Sequence, residues 1–176
     1  MTETTLLVSG VDDVATVALR TRSGTAVVGT AVVMAGPRGP LPVVTGELDG
    51  RAEHAFTNGQ CHAMALALFE RLGGTIVGRG PGPCDHAVEC VRRGGMHVCQ
   101  VDHLLVRLDD DMFVDVHGDH CYEDLVWCYP EEDLHEVPGE LLHHLLWEAG
   151  GWARPEIEVA RTFVDGVVAL VEQTVS

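Results

Sequence analysis

The chain has 176 residues, of which 46% are hydrophobic, enough apolar material for one domain with a buried core. Its net charge of −16 repels phosphate groups, so we expect no binding to nucleic acid, whereas a basic protein or peptide partner is compatible with it. The sequence has no run of about 18 apolar residues to span a bilayer, and its first residues lack the basic start of a secretory signal. A cytoplasmic protein that does not bind membranes is expected.

Cysteine and lysine usage are both informative. The six cysteines are not packed into a short secreted scaffold, so reduced thiols are expected rather than disulfides. All eleven basic residues are arginine, and lysine is absent. A GC-rich genome accounts for this bias, and escape from a lysine-directed modification system is the alternative.

The first 50 residues predict a β meander. Segments 4–9, 14–20 and 25–34 are rich in β-branched residues and are separated by turn-forming residues. Glycines and prolines then interrupt the pattern. Residues 61–72 are apolar on nearly every side at helical spacing, and Gly73-Gly74 ends the run, so a buried helix is predicted here.

The second half predicts a hairpin followed by helices. After a glycine-rich loop over residues 78–96, strand patterns occupy 97–108 and 112–116, with a run of three aspartates as the turn between them. Two amphipathic helices are predicted over 139–149 and 155–174.

Together these elements predict a single α+β domain over residues 1–176. A central helix packs on an antiparallel sheet, and the two C-terminal helices cover it. The expected parts are an N-terminal meander over 1–50, a core over 55–128 that carries the chemistry, and C-terminal helices over 139–175.

Cys61 is the candidate nucleophile. It lies at the predicted start of the buried helix, where unpaired N–H groups and the helix dipole stabilise a thiolate. No other cysteine in the chain is placed in this way. Asn58 is expected to serve as the N-cap of this helix or as part of the turn that enters it.

The hairpin supplies a base and a group to orient it. A turn centred on Asp109 pairs position i with position 218 − i, which places His103 directly opposite Asp115. Opposed residues project from one face of a sheet, so the Asp115 carboxylate can hold the tautomer of the His103 imidazole.

These residues carry a resemblance. A cysteine at the start of a buried helix, then a histidine on one strand and an aspartate on the next, resembles papain-like, NlpC/P60-like and transglutaminase-like proteins. Asn58-Gly59-Gln60-Cys61-His62, with the later Asp115-Val116-His117-Gly118, is also similar to small proteins of actinobacteria and their phages. The resemblance covers roughly residues 55–128.

The resemblance implies residue roles. Cys61 matches the nucleophile, His103 the base and Asp115 the orienting residue. Gln60 or Asn58 is expected to donate to the oxyanion together with the Cys61 backbone N–H. In papain-like enzymes that glutamine lies several residues before the cysteine, whereas Gln60 is adjacent to it.

The implied function is thiol-dependent acyl transfer without a cofactor. Hydrolysis of an amide or isopeptide bond comes first, with transamidation or deamidation as the close variants, as in a cysteine peptidase, an amidase or a transglutaminase-like enzyme. The alternative is a non-catalytic binding or inhibitor protein on the same scaffold, phage-encoded or defence-related, that engages its partner through an acidic surface.

A third hypothesis is a zinc-stabilised interaction module. Cys84, Cys90, His97 and Cys99 provide three thiolates and one imidazole, a donor set that suits structural zinc. Their spacing is not the short C-x2-C knuckle typical of such sites. A glycine-rich loop with little apolar content would gain order from a metal.

Overall fold

The computed structural model describes residues 5–9, 14–21, 24–36, 39–81, 84, 90–109, 111–128, 132–148 and 152–174, with the backbone alone up to residue 31. The helices are α1 Gly50–Thr57, α2 Cys61–Leu72, α3 Tyr122–Cys128, α4 Gly139–Trp147, α5 Ile157–Arg161 and α6 Val164–Thr174. The strands are β1 Thr5–Ser9, β2 Val14–Thr21, β3 Gly24–Met34, β4 Leu41–Val44, β5 Thr75–Pro81, β6 Arg92–Arg93, β7 Met96–His97, β8 His103–Arg107, β9 Met112–Asp115, β10 Gly118–Cys121 and β11 Glu132–Glu136. None of these helices has the length and apolar content needed to cross a membrane.

The described chain is mixed α+β, as the sequence predicted. Strands β1, β2, β3 and β4 pair antiparallel in chain order, which confirms the predicted meander and adds β4 to its edge. The turn residues predicted at 12–13 and 23 lie outside the described residues.

A second antiparallel sheet positions the candidate site. Its strand order is β10-β9-β8-β5-β11. On one face, Leu104 and Val106 of β8 and Val114 of β9 belong to the same core cluster as the buried residues of α2. On the other face, Leu105 and Phe113 form a smaller cluster. Alternation along each strand therefore buries both faces, and α2 packs on this sheet as predicted.

The region between α2 and β8 differs from the predicted loop. Strand β5 extends to Pro81, and β6 and β7 form a small hairpin. A 3₁₀ turn, Val98–Gln100, then crosses β5 so closely that a β-carbon on Gly80 would lie 2.3 Å from the Gln100 carbonyl oxygen. Glycine is required at this position because any side chain would collide with backbone.

The C-terminal half departs from prediction at both ends of β9. Strand β10, α3 and β11 were not predicted, and Gly118 begins a strand rather than ending one, with a left-handed φ of 103°. Helix α4 is confirmed, but the second predicted helix is divided into α5 and α6. The break lies at Thr162, whose hydroxyl donates to the Val159 carbonyl and accepts from the Gly46 N–H.

Candidate active site

Cys61 is the first residue of α2, as predicted. The N-cap position belongs to Gln60, and Asn58 is instead the C-cap of α1, its backbone N–H donating to the His54 carbonyl. Of the two expected roles, Asn58 therefore has the second: it lies in the turn that enters α2 and does not cap that helix, because the unpredicted helix α1 ends at this residue. A thiol at the first residue of a 12-residue helix lies beside the positive end of the helix dipole, which favours its thiolate form.

The hairpin between β8 and β9 has a different register from the predicted one. Val106 pairs with Val114 and Arg107 with Phe113, so paired positions sum to 220 rather than 218. His103 and Asp115 are not directly opposed, and this part of the prediction is wrong. The side chain of Asp109 accepts from two backbone N–H groups past the turn, which lengthens the loop.

The shift of two residues keeps His103 and Asp115 on one face, because side chains alternate with a period of two. His103 Nε2 lies 2.9 Å from Asp115 Oδ2, and both residues are buried. The predicted contact between the imidazole and the carboxylate is present, through a diagonal rather than a direct pair.

Asp115 has three hydrogen-bond donors. Its Oδ2 faces His103, and its Oδ1 accepts from the His117 backbone N–H at 2.8 Å and contacts His120 Nε2 at 2.9 Å. Burial raises the pKa of the Asp115 carboxyl, but the hydrogen bonds from His103 and His120 outweigh it and hold the pKa far below its usual range. The group is therefore a buried carboxylate at neutral pH.

His120 belongs to the site but was not predicted there. Strands β9 and β10 pair Gly118 with Asp115 and His120 with Phe113, so His120 projects from the same face as the carboxylate. Pairing arithmetic extended across the second turn would have found it.

Cys61 and His103 form a charged pair. Burial raises the pKa of the Cys61 thiol, but hydrogen bonds with His103 and His62 outweigh burial and lower the pKa to about 6. Burial likewise lowers the pKa of His103, but hydrogen bonds with Asp115 and Cys61 raise it to about 9. Both shifts are in the direction that favours a thiolate beside an imidazolium.

His62, the residue after Cys61, is buried. Its Nε2 lies 2.8 Å from the Ala153 carbonyl, and its ring makes an edge-on contact with Trp152. These two contacts fix the orientation of the imidazole.

Gln60 is part of the scaffold. Its Nε2 donates to the carbonyls of Ala35 and Arg154, and its Oε1 accepts from the Glu156 N–H. Both amide protons are engaged, so the side chain has none left for a substrate oxygen. Helix α5 begins at Ile157, just after the Glu156 N–H that bonds to Gln60, whereas the predicted helix begins at residue 155.

Asn58 is exposed, and its Nδ2 contacts His54 Nδ1 at 3.2 Å and the His54 carbonyl at 3.1 Å. It therefore supports the end of α1. His117, the other histidine of the Asp115–Gly118 motif, contacts the Thr57 hydroxyl at 3.0 Å through its Nε2.

The residues of the zinc hypothesis also meet in space. One ligand atom each from Cys84, Cys90 and His97 lies within 4.8 Å of the others, and Cys90 Sγ is 3.2 Å from Cys99 Sγ. This thiol cluster (Cys84, Cys90, His97 and Cys99) is separate from the site at Cys61.

No protein-family model, curated protein or solved structure matches this chain.

Proposed function

We propose that the chain is a thiol-dependent acyl-transfer enzyme with a papain-like or transglutaminase-like fold. Cys61 is the nucleophile, His103 the general acid and base, and Asp115 the residue that orients His103. The observation that carries the proposal is the buried series of hydrogen bonds from Asp115 through His103 to Cys61. The order of α2, β8 and β9 along the chain supports it, since the resembled families present their triads in this order.

The ring nitrogens of His103 have distinct tasks. Nε2 faces Asp115, which leaves Nδ1 as the nitrogen that exchanges a proton with Cys61. The thiolate attacks a carbonyl carbon and forms a C–S bond. Collapse of the tetrahedral intermediate breaks the C–N bond, and the Nδ1 proton passes to the departing amine.

The second half of the reaction regenerates the enzyme. Water loses a proton to His103 Nδ1 and attacks the thioester, releasing the carboxylic acid and the Cys61 thiolate. An amine in place of water gives transamidation with the same residues. The choice between these outcomes depends on which nucleophile reaches the thioester.

The backbone supplies the oxyanion donor in this scheme. The Cys61 N–H and the start of α2 present positive charge where the carbonyl oxygen develops its negative charge. Gln60 stabilises this geometry by tying the helix start to residues 35, 154 and 156.

Substrate access requires a movement of the chain, since Cys61 and His103 are each only 4% exposed. Residues 152–156 are the best placed to move. Both residues that flank Cys61 bond to this segment: Gln60 to Arg154 and Glu156, and His62 to Ala153. We expect substrate binding to displace it and to open the thiol. The net charge of −16 favours a basic peptide or protein as the substrate.

Acylation by a small activated ester tests the proposal. With p-nitrophenyl acetate we expect a burst of p-nitrophenol and a single acetyl thioester at Cys61, located by peptide mass spectrometry. His103→Asn should slow this acylation by at least about 100-fold, because proton transfer and thiolate stabilisation are both lost.

The matched control is Cys121→Ser, which removes a partly buried thiol outside the proposed site and should keep the burst. Cys61→Ser should abolish it. Equal acetylation of wild-type and Cys61→Ser protein, with acetyl groups spread over the other thiols, would overturn the proposed function.

A further inference from the structure

The thiol cluster lies on one stretch of chain between β5 and β8. Cys84 follows β5, Cys90 precedes β6, His97 ends β7, and Cys99 lies in the 3₁₀ turn. The β6–β7 hairpin folds the stretch back on itself, which brings together residues whose spacing in sequence gives no short knuckle.

Three of the four side chains have the separations that a tetrahedral metal needs, and the fourth, Cys99, contacts one of them. Ligand sulfurs about 2.3 Å from zinc lie about 3.8 Å from one another. Cys84, Cys90 and His97 fall within 4.8 Å, and the 3.2 Å between Cys90 and Cys99 is too long for a disulfide. Cys99 also hydrogen bonds with Cys84, which places the fourth sulfur on the same cluster.

The cluster includes one unpaired buried ring nitrogen and little regular secondary structure. His97 Nδ1 is buried and has no hydrogen-bond partner among the described residues. The strands β6 and β7 have only two residues each, too few to order the stretch by backbone pairing alone.

We propose that Cys84, Cys90, His97 and Cys99 bind one zinc ion in a tetrahedral structural site. Three thiolates and an imidazole select zinc over the hard cations that prefer oxygen ligands. Four protein ligands leave no open position, so the ion orders the fold and does not act on substrate.

The site has a structural consequence for the chain around it. Zinc binding fixes the segment that leads into β8, whose first residue is His103, four positions after Cys99. Gly94 at the hairpin tip packs against Pro138 and its N–H donates to Glu140, so the site also anchors the hairpin to the start of α4. The proposal is independent of the proposed function.

Metal titration of the reduced full-length protein tests it. With Zn²⁺ in competition with a chromophoric chelator we expect one ion per chain. Co²⁺ should give the intense ligand-field and charge-transfer bands of tetrahedral thiolate coordination. Cys90→Ser and Cys99→Ser should each weaken zinc binding by at least about 100-fold, since each removes a direct ligand.

Two variants serve as matched controls. Cys61→Ser removes the proposed nucleophile, and Cys121→Ser removes a thiol outside both sites; both should bind zinc as wild type does. This separates the metal site from the enzyme activity. Reduced wild-type protein that binds no stoichiometric zinc, or Co²⁺ spectra without thiolate bands, would overturn the proposal. So would a native Cys90–Cys99 disulfide whose reduction creates no metal site.

Discussion

Iodoacetamide is expected to alkylate Cys61 in native protein with a rate that is half-maximal near pH 6, the pKa to which His103 and His62 lower its thiol against the effect of burial. The thiolate alone reacts, so the rate follows the ionised fraction of the thiol. Restricted access of the reagent slows the absolute rate at every pH but leaves the position of the midpoint unchanged. A small, uncharged reagent is suited to a thiol that is 4% exposed.

Removal of the imidazole should move this midpoint. In His103→Asn the hydrogen bond and the charge that lower the pKa of Cys61 are lost, so the pKa should rise toward its ordinary value of 9.0. The alkylation rate at pH 7 then falls by on the order of ten- to a hundredfold. His143→Asn, a substitution of an exposed histidine on α4, is the control and should leave the profile unchanged.

Site-resolved detection is required for this measurement. A hydrogen bond from the Cys99 backbone, with others from the cluster, lowers the pKa of Cys90 to about 7, so Cys90 competes for reagent in metal-free protein. Peptide mapping separates the two thiols. A Cys61 midpoint near pH 9 in the wild type, or the same midpoint with and without His103, would contradict the account.

Asp115→Asn is expected to destabilise the protein by about 3 kcal/mol at pH 7, the scale observed when one partner of a buried ion pair is removed. Asp115 is bound by His103, His120 and the His117 N–H, and all three donors lose a charged acceptor. Urea denaturation followed by circular dichroism measures this difference.

The pH dependence identifies the carboxylate as the cause. The pKa of Asp115 is lower in the folded than in the unfolded chain, so its contribution is complete above the ordinary value of 3.8 and declines as pH falls below it. The stability difference between wild type and Asp115→Asn should therefore shrink below about pH 4, and it should also decline as pH rises toward about 9, where His103, whose pKa Asp115 raises, loses its proton. Asp102→Asn, at an exposed position beside His103, should change stability little. If the loss of stability in Asp115→Asn did not change with pH, its cause would be packing and not the charge of the carboxylate.

The sequence was enough to predict those features of the site that depend only on the alternation of side chains along a strand. Alternation along β8 and β9 keeps His103 and Asp115 on one face for any even shift of register, so the contact was predictable although the pairing was not. The shift in the pairing of β8 with β9 accompanies a local feature: the Asp109 side chain accepts hydrogen bonds from the N–H groups of Asp111 and Met112. Hydrogen bonds of this kind, between a side chain and the nearby backbone, leave no trace in the hydrophobic pattern of the sequence.

The remaining features depend on contacts between distant parts of the chain. Gln60 was assigned to the oxyanion from its position beside Cys61, yet its partners lie 25 to 96 residues away. The donor types of the thiol cluster could be named from the sequence, but its geometry could not, because the ligands meet through a hairpin of two-residue strands that no pattern predicts. In both cases the deciding partners become neighbours only when the whole chain folds.

The protonation state of the His103 ring tests the central claim most directly, and nitrogen NMR of uniformly labelled protein at pH 7.5 measures it. The account predicts that both ring nitrogens carry protons in wild-type protein, because the Cys61 thiolate and the Asp115 carboxylate raise the pKa of His103 to about 9 despite burial. In Cys61→Ser the same signals should shift toward the neutral ring, since the thiolate is gone. A neutral His103 in the wild type, unaffected by loss of Cys61, would contradict the thiolate–imidazolium pair and the mechanism that depends on it.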